Sequence, residues 1–453
     1  MNILLLALLS LVSSFFIFLS GPKVPPYKPI DEALTLRWQS NIGRVSFRSN
    51  ISTHKDLLII GSNGNEFRDG SFMDLNSGVY FINSVTGKIK TSVSKERWGD
   101  FDVNGTIIFN GNVYFGNDNE EFICVDMNGN MIWKNLASGD IEAEPVLIDI
   151  KGEKAIIYAT ELGEVKAVDP ANGKAFWSYF TPGFSGWKEG DSRPIFKVKA
   201  FLSSTESFFT KPVLADVNKD GVSDIIYSCL DNNVVCINGN NGKLLWNLKE
   251  TDTYYSYSID CKKIESSTEF WVATSTYNRA LEKSFLSITR INDRGEILGR
   301  IPIQDSSSSS FSLNSMSLDF GQQLYATEDS VFIVDHKRIK GAIYIGDTFH
   351  VKSTWDNEVR IINRVYHDQL FSSSSFNYKG NDSCIALLSQ YDRANYENGF
   401  ITIISLKSQK VIARLALPGI SEMPPQVGDF NRDGKTDILV NCADGKLYCY
   451  QLN

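Results

Sequence analysis

The chain has 453 residues, 42% of them hydrophobic and 22% charged, a globular composition with enough apolar mass for a large core. Aromatic residues make up 12%, which suits strands more than helices. A net charge of −8 without any long basic run excludes a nucleic-acid-binding surface, so no nucleic-acid partner is expected.

Ile3 to Leu19 is apolar except for Ser10, Ser13 and Ser14. A membrane span needs about 18 apolar residues, which this stretch barely supplies. A cleaved secretory signal needs a positive start and small residues before the cut. Here the start carries only the terminal amine, and cleavage after Ser20 would place bulky Phe18 three residues before the cut. Residues 1–20 are therefore expected to be a membrane-anchor helix or a signal peptide, the uncleaved form being preferred. Residues 21–33, "GPKVPPYKPIDEA", read as a linker, because proline cannot continue a helix.

The rest, residues 34–453, is one repeat used eight times. An apolar run recurs as "VYFIN" at Val79, "FICVD" at Phe122, "VKAVD" at Val165, "VVCIN" at Val234 and "FLSITRI" at Phe285. It continues as "VFIVD" at Val331, "FITIIS" at Phe400 and "LYCY" at Leu447. Most copies lead into a Gly-containing turn and another strand, as in "NGNMIW", "NGKAFW" and "NGKLLW". Asn-Gly between apolar runs is a strong hairpin signal. Short strands, four per unit and without helical segments between them, predict an all-β fold: a β-propeller of eight four-stranded blades. The last copy ends without a fourth strand, and "ALTLRWQSN", Ala33 to Asn41, is expected to supply it. Pairing the N- and C-terminal strands would close the ring and remove its open edges. Trp38 in that strand echoes Trp133, Trp177 and Trp246, and all four are expected to pack blade against blade.

Two loops share the pattern D-x-N-x-D-G-x-x-D. In "DVNKDGVSD", Asp216, Asn218, Asp220 and Asp224 offer side-chain oxygens and Val222 a backbone carbonyl. In "DFNRDGKTD" the set is Asp429, Asn431, Asp433 and Asp437, with Lys435 as the carbonyl donor. Hard oxygen ligands without His or Cys favour Ca²⁺ over zinc or copper. Three carboxylates in nine residues also repel one another unless a cation sits among them. The alternative is a pair of acidic surface turns. The related "DIKGEK" at Asp149 keeps only the first aspartate and cannot form the same cage.

Other chemistry is sparse. His54, His336, His350 and His367 form no metal-ligand pair, and no P-loop, G-x-S-x-G or G-x-G-x-x-G occurs. The seven cysteines form no C-x-x-C. Cys229/Cys236 and Cys442/Cys449 flank turns at equal spacing; they read as buried small hydrophobes or as cross-strand disulfides, the former being preferred. Asn50, Asn104 and Asn381 head N-x-S/T sequons, which matter only in a eukaryotic source. The long insertion after the third repeat carries Phe184, Trp187 and Phe196, aromatic residues suited either to a binding rim or to a loop folded over its own blade. "FSSSS" at Phe371 reads either as small residues at the crowded inner edge near the axis or as a linker.

"VYFINSVTGK", "VKAVDPANGKAFW" and "VVCINGNNGKLLW" resemble the repeat of quinoprotein-type (PQQ-like) propellers. "DFNRDGKTDILV" and "DVNKDGVSDIIY" resemble the FG-GAP/VCBS repeat of integrin-α-type propellers. The second resemblance implies two structural calcium sites. The first does not imply the quinone PQQ, since that cofactor commonly stacks near vicinal cysteines and none exist here. The expected function is a non-enzymatic binding or scaffold protein, recognising a protein or glycan through rim loops. The alternative is a secreted propeller enzyme, a polysaccharide lyase or quinoprotein-like oxidoreductase. Lys23 and Lys28 after the apolar stretch argue for a cytoplasmic propeller. Calcium loops of weak affinity argue for the calcium-rich exterior, and an extracytoplasmic location is expected.

Overall fold

The computed structural model describes residues 33–46, 48–64, 76–94, 101–181, 211–228, 234–248, 255–263, 270–278, 283–305, 323–326, 330–335, 338–345, 348–352, 369–378, 382–390, 399–405, 410–419 and 423–453. The apolar segment 3–19, the rim aromatics Phe184, Trp187 and Phe196, Cys229, His367 and Asn381 lie outside the described residues. Among the described residues there is no α-helix, and none that could cross a membrane.

Among the described residues the strands fall into eight four-stranded antiparallel sheets, seven of them sequential meanders. After β1 (Leu34–Asn41), sheet 1 holds β2 (Ile51–His54), β3 (Leu57–Asn63), β4 (Ser77–Asn83) and β5 (Ile89–Val93). Sheet 2 holds β6 (Thr106–Phe109), β7 (Asn112–Gly116), β8 (Glu121–Asp126) and β9 (Met131–Leu136). Sheet 3 holds β10 (Val146–Ile150), β11 (Glu153–Ala159), β12 (Glu164–Val168) and β13 (Ala175–Phe180). Sheet 4 holds β14 (Val213–Ala215), β15 (Asp224–Ser228), β16 (Val234–Ile237) and β17 (Leu244–Leu248). Sheet 5 holds β18 (Tyr255–Lys263), β19 (Phe270–Asn278), β20 (Lys283–Ile291) and β21 (Ile297–Asp305). Sheet 6 holds β22 (Gln323–Ala326), β23 (Ser330–Asp335), β24 (Arg338–Ile345) and β25 (Thr348–Lys352). Sheet 7 holds β26 (Gln369–Tyr378), β27 (Asp382–Gln390), β28 (Gly399–Ser405) and β29 (Lys410–Leu417). Sheet 8 joins β30 (Gln426–Gly428), β31 (Thr436–Asn441) and β32 (Lys446–Leu452) to β1 from the other end of the chain. No single sheet closes on itself; β1 pairs antiparallel with β32, Leu34 opposite Leu452 and Asn41 opposite Lys446.

Where a sheet packs between two described neighbours, its middle strands are apolar on both faces. Successive side chains of a strand point to opposite faces. In β15, Ile225 and Tyr227 pack with sheet 3, while Ile226 packs with Phe270 and Ile291 of sheet 5. In β7, Val113 and Phe115 pack with sheet 1, and Tyr114 packs with Ile156 and Tyr158 of sheet 3. Sheets 7 and 8 share a core through Ile401, Ile403, Ile438 and Val440. Sheets 8 and 1 share another through Trp38, Leu439, Leu58 and Ile60. The first strands β18 and β22, and β22 and β26, approach within 8 Å, Cα to Cα.

One detail departs from the sequence reading. Seven of the eight recurring apolar runs are third strands, but "VFIVD" at Val331 is the second strand of sheet 6; its third is "RIKGAIYI", with Asp335 opposite Arg338. Second and third strands carry the same apolar pattern, so periodicity cannot tell them apart. Cys442 and Cys449 are out of register for a cross-strand disulfide, which agrees with the preferred reading of buried small hydrophobes. Cys236 lies opposite Ile226, and Cys449 opposite Leu439. Cys442 and Cys449 are buried and in no disulfide, as is Cys236. "FSSSS" belongs to β26, the first strand of sheet 7, and so is not a linker.

Candidate functional site: two acidic loops and the interfaces around them

Both acidic loops join the first and second strands of their sheets, β14 to β15 and β30 to β31. Most of their hydrogen bonds repeat from one loop to the other. Asp216 accepts the N–H groups of Asp220 and Gly221, each at 3.0 Å. Asp429 accepts those of Asp433 and Gly434 at 3.0 and 2.9 Å. Asp220 accepts from Val222 N–H at 2.9 Å and Asp433 from Lys435 N–H at 2.9 Å. Asn218 and Asn431 each donate 3.2 Å bonds to the aspartate two residues on. Lys219 and Arg432 take left-handed backbone, φ 61° and 62°, and Gly221 and Gly434 follow with φ 85° and 82°. A non-glycine residue in that region is strained, so the repeated conformation is held by these side-chain bonds. Gly221→Ala is expected to cost about 1 kcal/mol from the backbone alone, because open space surrounds its added Cβ. A urea midpoint unchanged by that substitution would contradict the assigned geometry.

The closing aspartates differ from the rest in burial. Asp224 and Asp437 are fully buried. Burial pushes both carboxyls above their ordinary pKa, with added repulsion from Asp220 for the first and from Asp433 and Asp429 for the second. Burial also works upward on Asp220 and Asp433, but N–H donors outweigh it and hold both below the usual carboxylate range. One oxygen of Asp224 takes bonds from Val217 and Asn218, and the other from Gly239 N–H at 3.1 Å. In Asp437, one oxygen likewise accepts from Phe430 and Asn431. Its second oxygen is buried without a hydrogen-bond partner. A buried, unpartnered carboxylate oxygen beside two more carboxylates fits a hard cation.

Among the described residues, no three Asp, Glu, His or Cys side chains form a metal-holding group by themselves. A cation in either loop would draw on the Asn side chain and the backbone carbonyl as well. The third copy balances its charge differently. Asp149 caps a tight turn through Gly152 N–H and pairs with Lys154 at 2.9 Å.

Each repeat tryptophan fastens its sheet to the next. Trp38 Nε1 donates to Ser84 O at 2.9 Å and Trp133 Nε1 to Pro170 O at 3.0 Å. Trp177 Nε1 donates to Gly239 O and Trp246 Nε1 to Asp293 O, both at 2.9 Å. The acceptors all lie in the turn between third and fourth strands of the following sheet. The ring then covers a glycine there: a Cβ on Gly242 would stand 2.6 Å from the Trp177 ring.

The chain matches no protein-family model, and no curated protein matches its sequence. Solved structures do match. Sqt1 of Saccharomyces cerevisiae superposes with a TM-score of 0.59 at 11% identity, over 92% of this chain and 99% of that one. The quinohemoprotein alcohol dehydrogenase ADHIIG of Pseudomonas putida HK5 gives 0.56 at 12% identity, over 94% and 78%. The computationally designed Ika8 protein gives 0.54 at 10%, over 91% and 98%. The fold is that of a β-propeller. At such identities the likeness is one of fold alone, and propellers host many functions.

The propeller also shows a surface that the sequence reading passed over. Met131, Ile132 and Leu136 of β9, Phe176 and Phe180 of β13, Leu244 and Leu245 of β17, and Ile297 and Leu298 of β21 are exposed. All lie on the fourth, outermost strands of sheets 2 to 5. The signal was present as the apolar pair that precedes the tryptophan in "MIW" and "LLW". A groove of about 830 Å³, reached by Phe176, Lys154 and Asn172, opens between sheets 2 and 3. The sequons at Asn50 and Asn104 are not surface acceptors. Asn50 bonds Thr106 O at 2.9 Å, and Asn104 is fully buried with its amide on Glu142.

Proposed function

We propose that this propeller is a binding scaffold whose outer strands on sheets 2 to 5 receive a protein partner. The exposed apolar row on four consecutive sheets carries this reading. Sheet edges present unpaired N–H and C=O groups, and natural proteins blunt them with charge or proline. β13 and β17 contain neither. Exposed apolar side chains bury well against another protein, whereas a sugar calls for more polar donors. The rim aromatics Phe184, Trp187 and Phe196 belong to the insertion leaving β13 and extend the same reading. The eight sheets are taken as blades of one closed ring, supported by the shared cores of sheets 8 and 1 and by β1–β32 pairing. The acidic loops are taken as two structural Ca²⁺ sites, four blades apart on one face, supported by the unpartnered oxygen of Asp437. The chain acts outside the cytoplasm, tethered by residues 3–20, where millimolar calcium fills loops of weak affinity.

A photo-crosslinker at Ser178, between Phe176 and Phe180, tests the surface in the native membrane fraction. One discrete protein adduct is expected, and Phe176→Lys with Leu245→Lys should reduce it at least tenfold while circular dichroism stays unchanged. An adduct indifferent to both charges would overturn the assignment.

A further inference from the structure

The two acidic loops differ in what lies behind them. In sheet 4 the outer oxygen of Asp220 accepts from Asn238 Nδ2 at 3.1 Å. Asn238 spends its own oxygen on Asn240 and Asn241 N–H in its own turn, so the chain of bonds ends there. In sheet 8 the same place is taken by Gln451, almost wholly buried, whose Nε2 donates to Asp433 at 2.9 Å. Its longer side chain leaves Oε1 clear of the turn. That oxygen accepts from Lys435 Nζ and from Arg37 Nη1, each at 3.3 Å. Arg37 belongs to β1. Asp433, Gln451 and Arg37 thus form one line from the acidic loop to the strand supplied by the other end of the chain.

We propose that a divalent cation in the 429–437 loop strengthens the docking of β1, through Gln451, and that the 216–224 loop lacks this link. The inference rests on the calcium reading above. Without a cation, Asp429, Asp433 and Asp437 repel one another, and the spare oxygen of Asp437 has nothing to hold. A cation among them fixes the Asp433 carboxylate. That orients the Gln451 amide and aims Oε1 at Arg37. Linkage is reciprocal, so whatever frees β1 weakens cation binding at this loop.

Amide hydrogen exchange of β1 in the full chain, with calcium or with EDTA, provides the test. Calcium should slow exchange across Thr35–Ser40 about fivefold or more. Arg37 is exposed, so Arg37→Ala leaves the fold intact; it should bring that ratio close to one while two calcium ions still bind by titration calorimetry. Asp433→Ala should also abolish the effect, and Asp220→Ala should leave it in place. Two bound calcium ions with β1 exchange unaltered in the parent protein would overturn the link and leave the calcium reading standing. Equal loss in Asp220→Ala and Asp433→Ala would mean general stabilisation, which also overturns it. Titration that detects no bound calcium removes both readings together.

Discussion

Trp177→Ala is expected to lower the unfolding free energy by about 3–5 kcal/mol, the range for losing a buried aromatic side chain. Three losses combine at this position. The ring is buried between sheets 3 and 4 among Ile157, Tyr179, Ile225 and Val235. Its Nε1 bond to Gly239 O disappears, leaving a buried carbonyl short of a partner. The cover over Gly242 opens a void that the stiff turn cannot fill. Gly242→Ala should approach the same loss from the other side, since its Cβ would overlap the ring. Phe180→Ala on the same strand is the control; its side chain is exposed, and a change within about 0.5 kcal/mol is expected. Urea midpoints decide between them. Equal shifts for Trp177→Ala and Phe180→Ala would mean that the tryptophan is no fastener.

Calcium should raise stability by about 2.7 kcal/mol for each loop at 100 times its dissociation constant. With two loops filled, the thermal midpoint in calcium should stand several degrees above that in EDTA. Asp437→Asn separates the metal from mere acidity. In EDTA it removes a buried charge that repels Asp433 and Asp429, so stability should hold or rise. In calcium it removes a ligand, and the gain from that loop should vanish. The same substitution therefore acts with opposite signs in the two buffers. A parent protein whose midpoint ignores calcium would sink the metal reading. A variant that loses stability equally in both buffers would reduce Asp437 to a structural carboxylate that holds Phe430 and Asn431.

The architecture was legible to the extent that it rests on local pattern. Alternating apolar residues bounded by Asn-Gly turns specify strands, because a strand's side chains alternate strictly. The missing strand of the last repeat was legible because a strand pattern without neighbours stood at the other end of the chain. The loops were legible because their bonds run within nine residues. Sheet 6 was misread at Val331 for the complementary reason. Second and third strands are both buried on two faces, and only pairing tells them apart. The disulfide alternative also failed on register, which a turn's exact length sets and composition does not.

By itself, the sequence determined the repeat, the strand content, the turns of most sheets and the matching residue pattern of both acidic loops. These depend on residues close together in the chain. The tertiary structure alone decided which turn each tryptophan covers, which apolar side chains remain exposed on the outer strands, and that Asp437 keeps an unpartnered oxygen where Asp224 does not. It alone placed Gln451 between Asp433 and Arg37, residues from opposite ends of the chain. The physical reason is common to all four. Burial and hydrogen-bond partners are set by contacts between sheets and between distant strands, and a local pattern carries no record of what will face it.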